Sequence, residues 1–85
     1  MINKLEIFKK RLIYRASYRG TKEMDILLGN FVNKHIDEFD ETLLLDLEKF
    51  LNLEDEIILN YYRYDVLDKN IKENKILKIF KKYKI

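Results

Sequence analysis

The chain has 85 residues, of which 47% are apolar, and it contains neither cysteine nor proline. Without cysteine, disulfide bonds and thiolate metal sites cannot stabilise the fold, so an apolar core must do so. The absence of proline and the abundance of Leu, Ile, Lys and Glu favour helix over strand. We therefore expect one helical domain over residues 1–85.

The net charge of +2 conceals a separation of charge along the sequence. Residues 1–22 carry seven basic and one acidic side chain, residues 23–60 carry two and eleven, and residues 61–85 carry eight and three. The basic ends could fold against the acidic middle, or opposed faces could meet a partner. We expect the ends and the middle to neutralise each other, because exposed charges contribute little individually.

The first half of the chain predicts two helices. A basic helix is expected over about residues 3–16, with an apolar stripe along one side. Apolar residues then recur at helical spacing from Met24 to Phe39, which predicts an unbroken second helix of four turns. Gly29 lies beside this stripe and would allow another helix to approach closely.

The second half predicts three more helices. Asp40 is a good N-cap for the third, and the acidic stretch 52–56 precedes the fourth. Residues 63–68 are predicted to be a connection in which Asp68 caps the last helix. The whole pattern predicts an all-α fold, a single compact five-helix bundle with short links.

Groups suited to catalysis are scarce. The single histidine, His35, lies in the apolar stripe and is predicted to flank the core rather than to act as a base or ligand. Tyr61, Tyr62 and Tyr64 lack an interleaved basic stripe and are predicted to be core and rim aromatics. No apolar run is long enough to cross a bilayer. We expect no enzyme active site, no metal site and no membrane insertion.

The stretch RGTKEMD, residues 19–25, contains one of only two glycines in the chain. As a simple helix joint, Gly20 would end the first helix in a left-handed conformation and Thr21 would cap the second. Glu23 would then lie in the first turn, where the helix dipole favours a carboxylate. Local chemistry alone is therefore sufficient to explain this stretch as a turn between helices.

The same stretch also has features that a simple joint does not need. Arg15 and Arg19 are four residues apart and are expected to share a face at the end of the first helix. Glu23 and Asp25 point about 200° apart on a helical wheel. With Gly20 leaving the backbone open, these residues would form a polar corner that another protein could contact.

At this point the sequence resembles a known family. The stretch RLIYRASYRGTKEMDILLGNF is similar to the N-terminal signature of the SdhE-type FAD assembly factors, the succinate dehydrogenase flavinylation factors. That signature is Arg-Gly-x-x-Glu with a later Asp and a Leu-rich run ending in Phe, preceded by Arg-Leu-x-Tyr. It is met here by Arg19, Gly20, Glu23, Asp25, Leu27, Leu28 and Phe31, and upstream by Arg11, Leu12 and Tyr14. The usual Pro-Asp-Leu before the fourth helix is replaced by Glu56-Ile57-Ile58.

The resemblance implies a small five-helix assembly factor that binds the flavoprotein subunit of succinate dehydrogenase, and often that of fumarate reductase. It promotes covalent attachment of FAD to the subunit, so FAD is the cofactor of the client and none is bound stably here. The resemblance implies a partner-binding surface, and we assign to it Arg15, Arg19, Gly20, Lys22, Glu23 and Asp25.

We further expect a monomer that binds its partner transiently in the bacterial cytoplasm and does not bind nucleic acid. The alternative from the residues themselves is a small basic helical module that binds nucleic acid or another protein. In that alternative, the lysine-rich end of the chain would matter most for nucleic-acid binding.

Overall fold

The computed structural model describes residues 3–83 of the chain. Within this range the protein consists of five α-helices and one short 3-10 turn, and it contains no strand. The helices are α1 Lys4–Ser17, α2 Lys22–His35, α3 Glu41–Leu51, α4 Asp55–Tyr64 and α5 Lys75–Lys82, and the 3-10 turn is Ile36–Glu38. The predicted all-α, five-helix fold is confirmed.

Side-chain caps fix where three of the helices begin. The Thr21 hydroxyl accepts a hydrogen bond from the backbone N–H of Met24 at 3.3 Å, and Asp40 Oδ1 accepts one from Leu43 at 2.8 Å. Asn74 Oδ1 does the same for Leu77 at 2.9 Å. Each cap satisfies a backbone donor that has no partner within its own helix. The caps predicted at Thr21 and Asp40 are confirmed.

The prediction that Asp68 caps the last helix is wrong. Its carboxylate instead accepts from the N–H of Asn70, two residues on, which closes a local turn well before α5 begins at Lys75. The link between α4 and α5 therefore runs over residues 65–74 and is not short. Residues 63 and 64, predicted to lie in the connection, belong to α4. An aspartate can stabilise a turn as readily as a helix start, so its presence alone did not decide between them.

The apolar stripe that begins at Met24 is longer than the helix that carries it. The α-helix ends at His35, and the chain continues through the 3-10 turn to Phe39, so the prediction of four unbroken helical turns is wrong. Ile36 and Phe39 are nevertheless buried. The tighter 3-10 geometry keeps both side chains in the core while it ends the helix.

An aromatic cluster joins three helices at the centre of the fold. The ring centroids of Phe31 and Phe80 are 5.0 Å apart, as are those of Phe50 and Phe80, and Phe31 lies 6.2 Å from Phe50. These rings come from α2, α3 and α5 and are buried, and each buried side chain of this size contributes roughly 1.5–3 kcal/mol to stability. The short C-terminal helix is thereby fixed to the rest of the bundle.

Close packing of α1 against α2 positions the joint between them. Gly29 is buried, and a Cβ atom at that position would lie 3.1 Å from Ser17 Oγ. The absence of a side chain therefore lets the end of α1 approach α2 closely, as the sequence predicted. The two helices form a tight hairpin with residues 18–21 as its joint.

No helix within residues 3–83 has the length and apolar character that crossing a membrane would require.

Candidate partner-recognition site

The joint between α1 and α2 is more extended than the sequence suggested. The first helix ends at Ser17, and the N–H of Tyr18 makes the last helical hydrogen bond, to the carbonyl of Tyr14 at 3.1 Å. Gly20 has a positive φ of 112°, as expected for a glycine in a turn, but it lies three residues beyond the helix end. It therefore does not end the helix directly, and the prediction on that point is wrong.

Arg19 also lies beyond α1, so the prediction that it shares a helical face with Arg15 is wrong. Its side chain is 11% exposed and points into the protein. The guanidinium donates to the carbonyls of Leu51 and Leu53, the second at 2.7 Å, and its Nε donates to Asp55 Oδ1 at 2.9 Å. A second nitrogen of the group lies 2.8 Å from the same carboxylate oxygen.

These contacts place Arg19 at the end of one helix and the start of the next. Leu51 is the last residue of α3, whose final carbonyls have no partner within the helix, and Asp55 is the first residue of α4. A cation at a helix C-terminus and an ion pair with a partly buried carboxylate are both favourable. The Arg19 side chain thus fastens the α1–α2 joint to the α3–α4 joint.

Two further residues of the predicted surface make contacts within the chain. Asp25 accepts a hydrogen bond from the backbone N–H of Arg19, which ties the first turn of α2 to the joint. Arg15 donates to the side-chain oxygen of Asn52, which follows α3. Arg15, Arg19 and Asp25 therefore stabilise the geometry of the joint from its inner side.

Gly20, Lys22 and Glu23 form the outer side of the joint, and all three are exposed. A Cβ atom added at Gly20 would have no heavy atom within 4 Å, so the space beside its backbone is open. We call these three residues the outer corner. The polar corner that the sequence predicted thus divides into an inner side, which stabilises the joint, and an outer side that solvent or another protein can reach.

Glu23 has an ion-pair partner that sequence reasoning missed. Its carboxylate pairs with the guanidinium of Arg63 on α4, and both side chains are about half exposed. The pair lies beside a shallow groove of about 390 Å³ with Met24 and Leu59 in its lining. Such an exposed pair contributes at most about 1 kcal/mol, so a partner's cation could replace Arg63 at little cost.

The partners of Arg19 and Glu23 were not identifiable from sequence spacing. Asp55 and Arg63 lie 36 and 40 residues away from them along the chain. The charge separation gave the one available signal, because it predicted pairing between the basic ends and the acidic middle. Both pairs follow that pattern, and so does Lys9 with Asp37 at 3.7 Å.

His35 occupies the place that the sequence predicted. Its ring lies 5.2 Å from that of Phe31 and 6.1 Å from that of Phe39, and its side chain is largely buried at the edge of the core. Tyr61 is buried and Tyr62 is half-buried. Residues 3–83 contain no group of three or more acidic or histidine side chains arranged to hold a metal ion.

Comparison with known proteins identifies the family. The model of the Sdh5 family, described as the flavinator of succinate dehydrogenase, matches residues 10–84 of this chain. This range includes the joint, both helices that flank it and the residues that clamp it. The chain belongs to this family.

Individual relatives carry consistent names. The chain is 40% identical to the succinate dehydrogenase assembly factor 2, mitochondrial, of Scheffersomyces stipitis, over 88% of this chain and 53% of that protein. It is 43% identical to the FAD assembly factor SdhE of Acetobacter pasteurianus, over 55% of this chain and 43% of that protein. These names describe assembly factors and not enzymes.

The chain spans about half the length of the curated relatives it matches. No solved structure matches it.

Proposed function

We propose that this protein is an assembly factor that binds the flavoprotein subunit of succinate dehydrogenase and promotes covalent attachment of FAD to it. The observation that carries this proposal is the family match over residues 10–84, which includes the whole joint. The name of the bacterial relative, an FAD assembly factor, supports the same role. We further propose that the partner binds transiently to a monomer in the bacterial cytoplasm, and that FAD remains the cofactor of the client.

Within this proposal, the six residues of the predicted surface have two roles. Gly20, Lys22 and Glu23 contact the flavoprotein, with the Glu23 carboxylate accepting charge-assisted hydrogen bonds and Gly20 allowing backbone contact. The four contacts of the Arg19 guanidinium lie within the chain, and these support a positioning role for it. Arg15 and Asp25 are assigned the same role on their contacts with Asn52 and the joint.

A rigid joint suits a protein that acts through binding. Ordering a flexible loop at an interface lowers affinity, so a joint already held by Arg19 presents Glu23 without that cost. An assembly factor can promote a reaction in its client by binding one client conformation more tightly than another. It then needs no catalytic group of its own.

The proposal is tested by expressing this protein together with the flavoprotein subunit and measuring covalent flavin by in-gel fluorescence. We expect the unchanged chain to raise covalent flavin, and we expect Glu23→Ala and Gly20→Arg to remove most of the increase. Losing a charged partner in an interface typically costs about 2–5 kcal/mol. Circular dichroism and thermal unfolding of each variant separate a lost contact from a lost fold.

Glu41→Ala is the matched control for Glu23→Ala. Glu41 is also an exposed acid in the first turn of a helix, but it lies on α3. It should keep full activity if the position of the carboxylate matters and not merely its charge. An unchanged chain that leaves covalent flavin at the level of the flavoprotein alone would contradict the proposed function. Full activity of both joint variants would contradict the assignment of the outer corner.

A further inference from the structure

The outward face of α1 is apolar and aromatic at its centre. Ile7, Tyr14 and Tyr18 are 41%, 65% and 68% exposed, and they account for three of the seven large hydrophobic side chains exposed within residues 3–83. Their spacing of seven and four residues places them on one side of the helix. Leu12 and Ala16, on the opposite side, are buried in the core. This face is therefore the side of α1 that points away from the bundle.

The two tyrosines form a preassembled pair. Their ring centroids are 4.6 Å apart and the rings are tilted by 35°. Tyrosine supplies a large contact area with few rotatable bonds, and it is among the residues that most often dominate binding energy at interfaces. Because the rings already pack on each other, little side-chain freedom remains to be lost on binding.

Basic side chains surround this apolar centre. Arg11 lies between Ile7 and Tyr14 on the same side of the helix, and Lys4 and Lys10 flank the face. Near its N-terminal end, Ile7 and Arg11 contribute to the lining of a shallow groove of about 290 Å³. Glu6 is the one acidic residue in α1. A complementary surface would therefore combine apolar contact with carboxylates.

The face leads directly into the outer corner. Tyr18 is separated from Gly20 by a single residue, and the distance along the helix from Ile7 to Tyr18 is roughly 17 Å. A protein that contacts Gly20 and Glu23 could extend over the tyrosine pair without a break. Continuity with the outer corner and charge complementarity thus indicate one occupant for the face.

We propose that the outward face of α1, formed by Ile7, Arg11, Tyr14 and Tyr18, docks an acidic surface of the flavoprotein subunit that also presents apolar side chains. This inference rests on the proposed function and adds a second region to its interface. A protein partner fits better than nucleic acid, because Ile7 and the tyrosine pair occupy the centre of the face. The middle of the chain is also strongly acidic and would repel a phosphate backbone.

The test is a binding titration of the purified chain with the purified flavoprotein subunit, at several salt concentrations. We expect Tyr14→Ala and Ile7→Ala each to weaken binding about five- to thirty-fold. Arg11→Glu should slow association and reduce its dependence on salt, because it reverses a charge on the docking face. All three side chains are exposed, so thermal unfolding should remain close to that of the unchanged chain.

Leu45→Ala and Lys72→Glu are the matched controls, since they alter an exposed apolar and an exposed basic side chain away from α1. Both should bind like the unchanged chain. If the α1 variants bind normally while Glu23→Ala weakens binding, the α1 proposal is wrong and the proposed function stands. If the unchanged chain does not bind the flavoprotein, both are wrong. Binding of a single-stranded RNA oligomer that Tyr14→Ala abolishes would also overturn the proposal, in favour of a nucleic-acid surface.

Discussion

The joint at residues 18–21 and the connection at residues 65–74 both link consecutive helices, but they are held in different ways. Within residues 3–83, each region contains one of the two residues with a positive φ, Gly20 at 112° and Asp65 at 58°. The joint closes in four residues and the connection takes ten. In the joint, one buried side chain, Arg19, contacts three separate groups on α3, α4 and the turn between them.

The connection relies on single contacts. Tyr61 donates a hydrogen bond to Glu73 Oε2 at 2.9 Å, and Lys81 pairs with Asp65 at the surface. Most side chains between residues 65 and 74 are exposed. The proposed recognition surface thus lies at the joint that has the larger number of internal contacts. Rigidity at a binding surface reduces the entropy lost on association, so this choice of location has a physical advantage.

Replacing Arg19 with Ala should have the largest effect and would remove the difference between the two regions. The change leaves the Asp55 carboxylate and two helix-end carbonyls without their donor. Breaking a buried ion pair costs up to about 5 kcal/mol, and because Asp55 is partly exposed we expect about 2–4 kcal/mol. Thermal unfolding followed by circular dichroism should show a midpoint lower by on the order of 10–20 °C.

Arg19→Lys tests whether the shape of the guanidinium matters. A lysine ammonium keeps the charge but cannot reach three acceptors with the same planar geometry, so we expect most of the loss to remain. Arg15→Ala is the milder comparison, because Arg15 is less buried and has one hydrogen-bond partner, Asn52. A stability change for Arg19→Ala no larger than that for Arg15→Ala would show that the joint is not fastened by Arg19.

Asparagine placed at each positive φ provides a matched comparison of the two backbones. Asparagine tolerates the left-handed region near φ +60°, where Asp65 lies, but Gly20 lies at 112° and well outside it. We expect Gly20→Asn to destabilise the protein by about 1–3 kcal/mol through backbone strain. Asp65→Asn should cost less than about 1 kcal/mol, since it removes one exposed ion pair.

Both free energies of unfolding can be measured by urea denaturation under the same conditions. Open space surrounds a Cβ at Gly20, so a loss of stability there would reflect conformation and not a steric clash. Equal effects at the two positions would contradict this account of the joint. The comparison therefore isolates the backbone requirement for glycine from any contact that its lack of a side chain allows.

The features that the sequence revealed correctly are mostly local. Thr21 and Asp40 cap the helices that follow them because an N-cap needs only a backbone donor two or three residues away. The inward position of Arg19 depends instead on where α3 ends in space, 32 residues further along the chain. Asp68 failed as a predicted cap for a related reason, because distant contacts such as that of Tyr61 with Glu73 accompany a later helix start.

The smallest expected effect concerns the connection and is also pH-dependent. Burial, together with the hydrogen bond to the Glu73 carboxylate, raises the pKa of Tyr61 from 10.0 to about 12. Tyr61→Phe keeps the ring in the core and removes this hydrogen bond, which should cost about 0.5–1.5 kcal/mol at neutral pH. Because Glu73 is partly exposed, water can replace the lost donor, so the effect should lie at the lower end of that range.

The sign of the pH dependence follows from the higher pKa of Tyr61 in the folded protein. Below pH 10 the phenol is neutral in both states, so the hydrogen bond contributes fully. Between pH 10 and about 12 the unfolded chain loses the Tyr61 proton and the folded chain retains it, which favours unfolding. Urea denaturation of both proteins across this window should therefore show the advantage of Tyr61 over Phe shrinking as pH rises. The other tyrosines are common to both proteins, so a constant difference in stability would show that the Tyr61 phenol is no harder to ionise in the folded protein. The connection would then have lost one of the two contacts that distinguish it from an unrestrained loop.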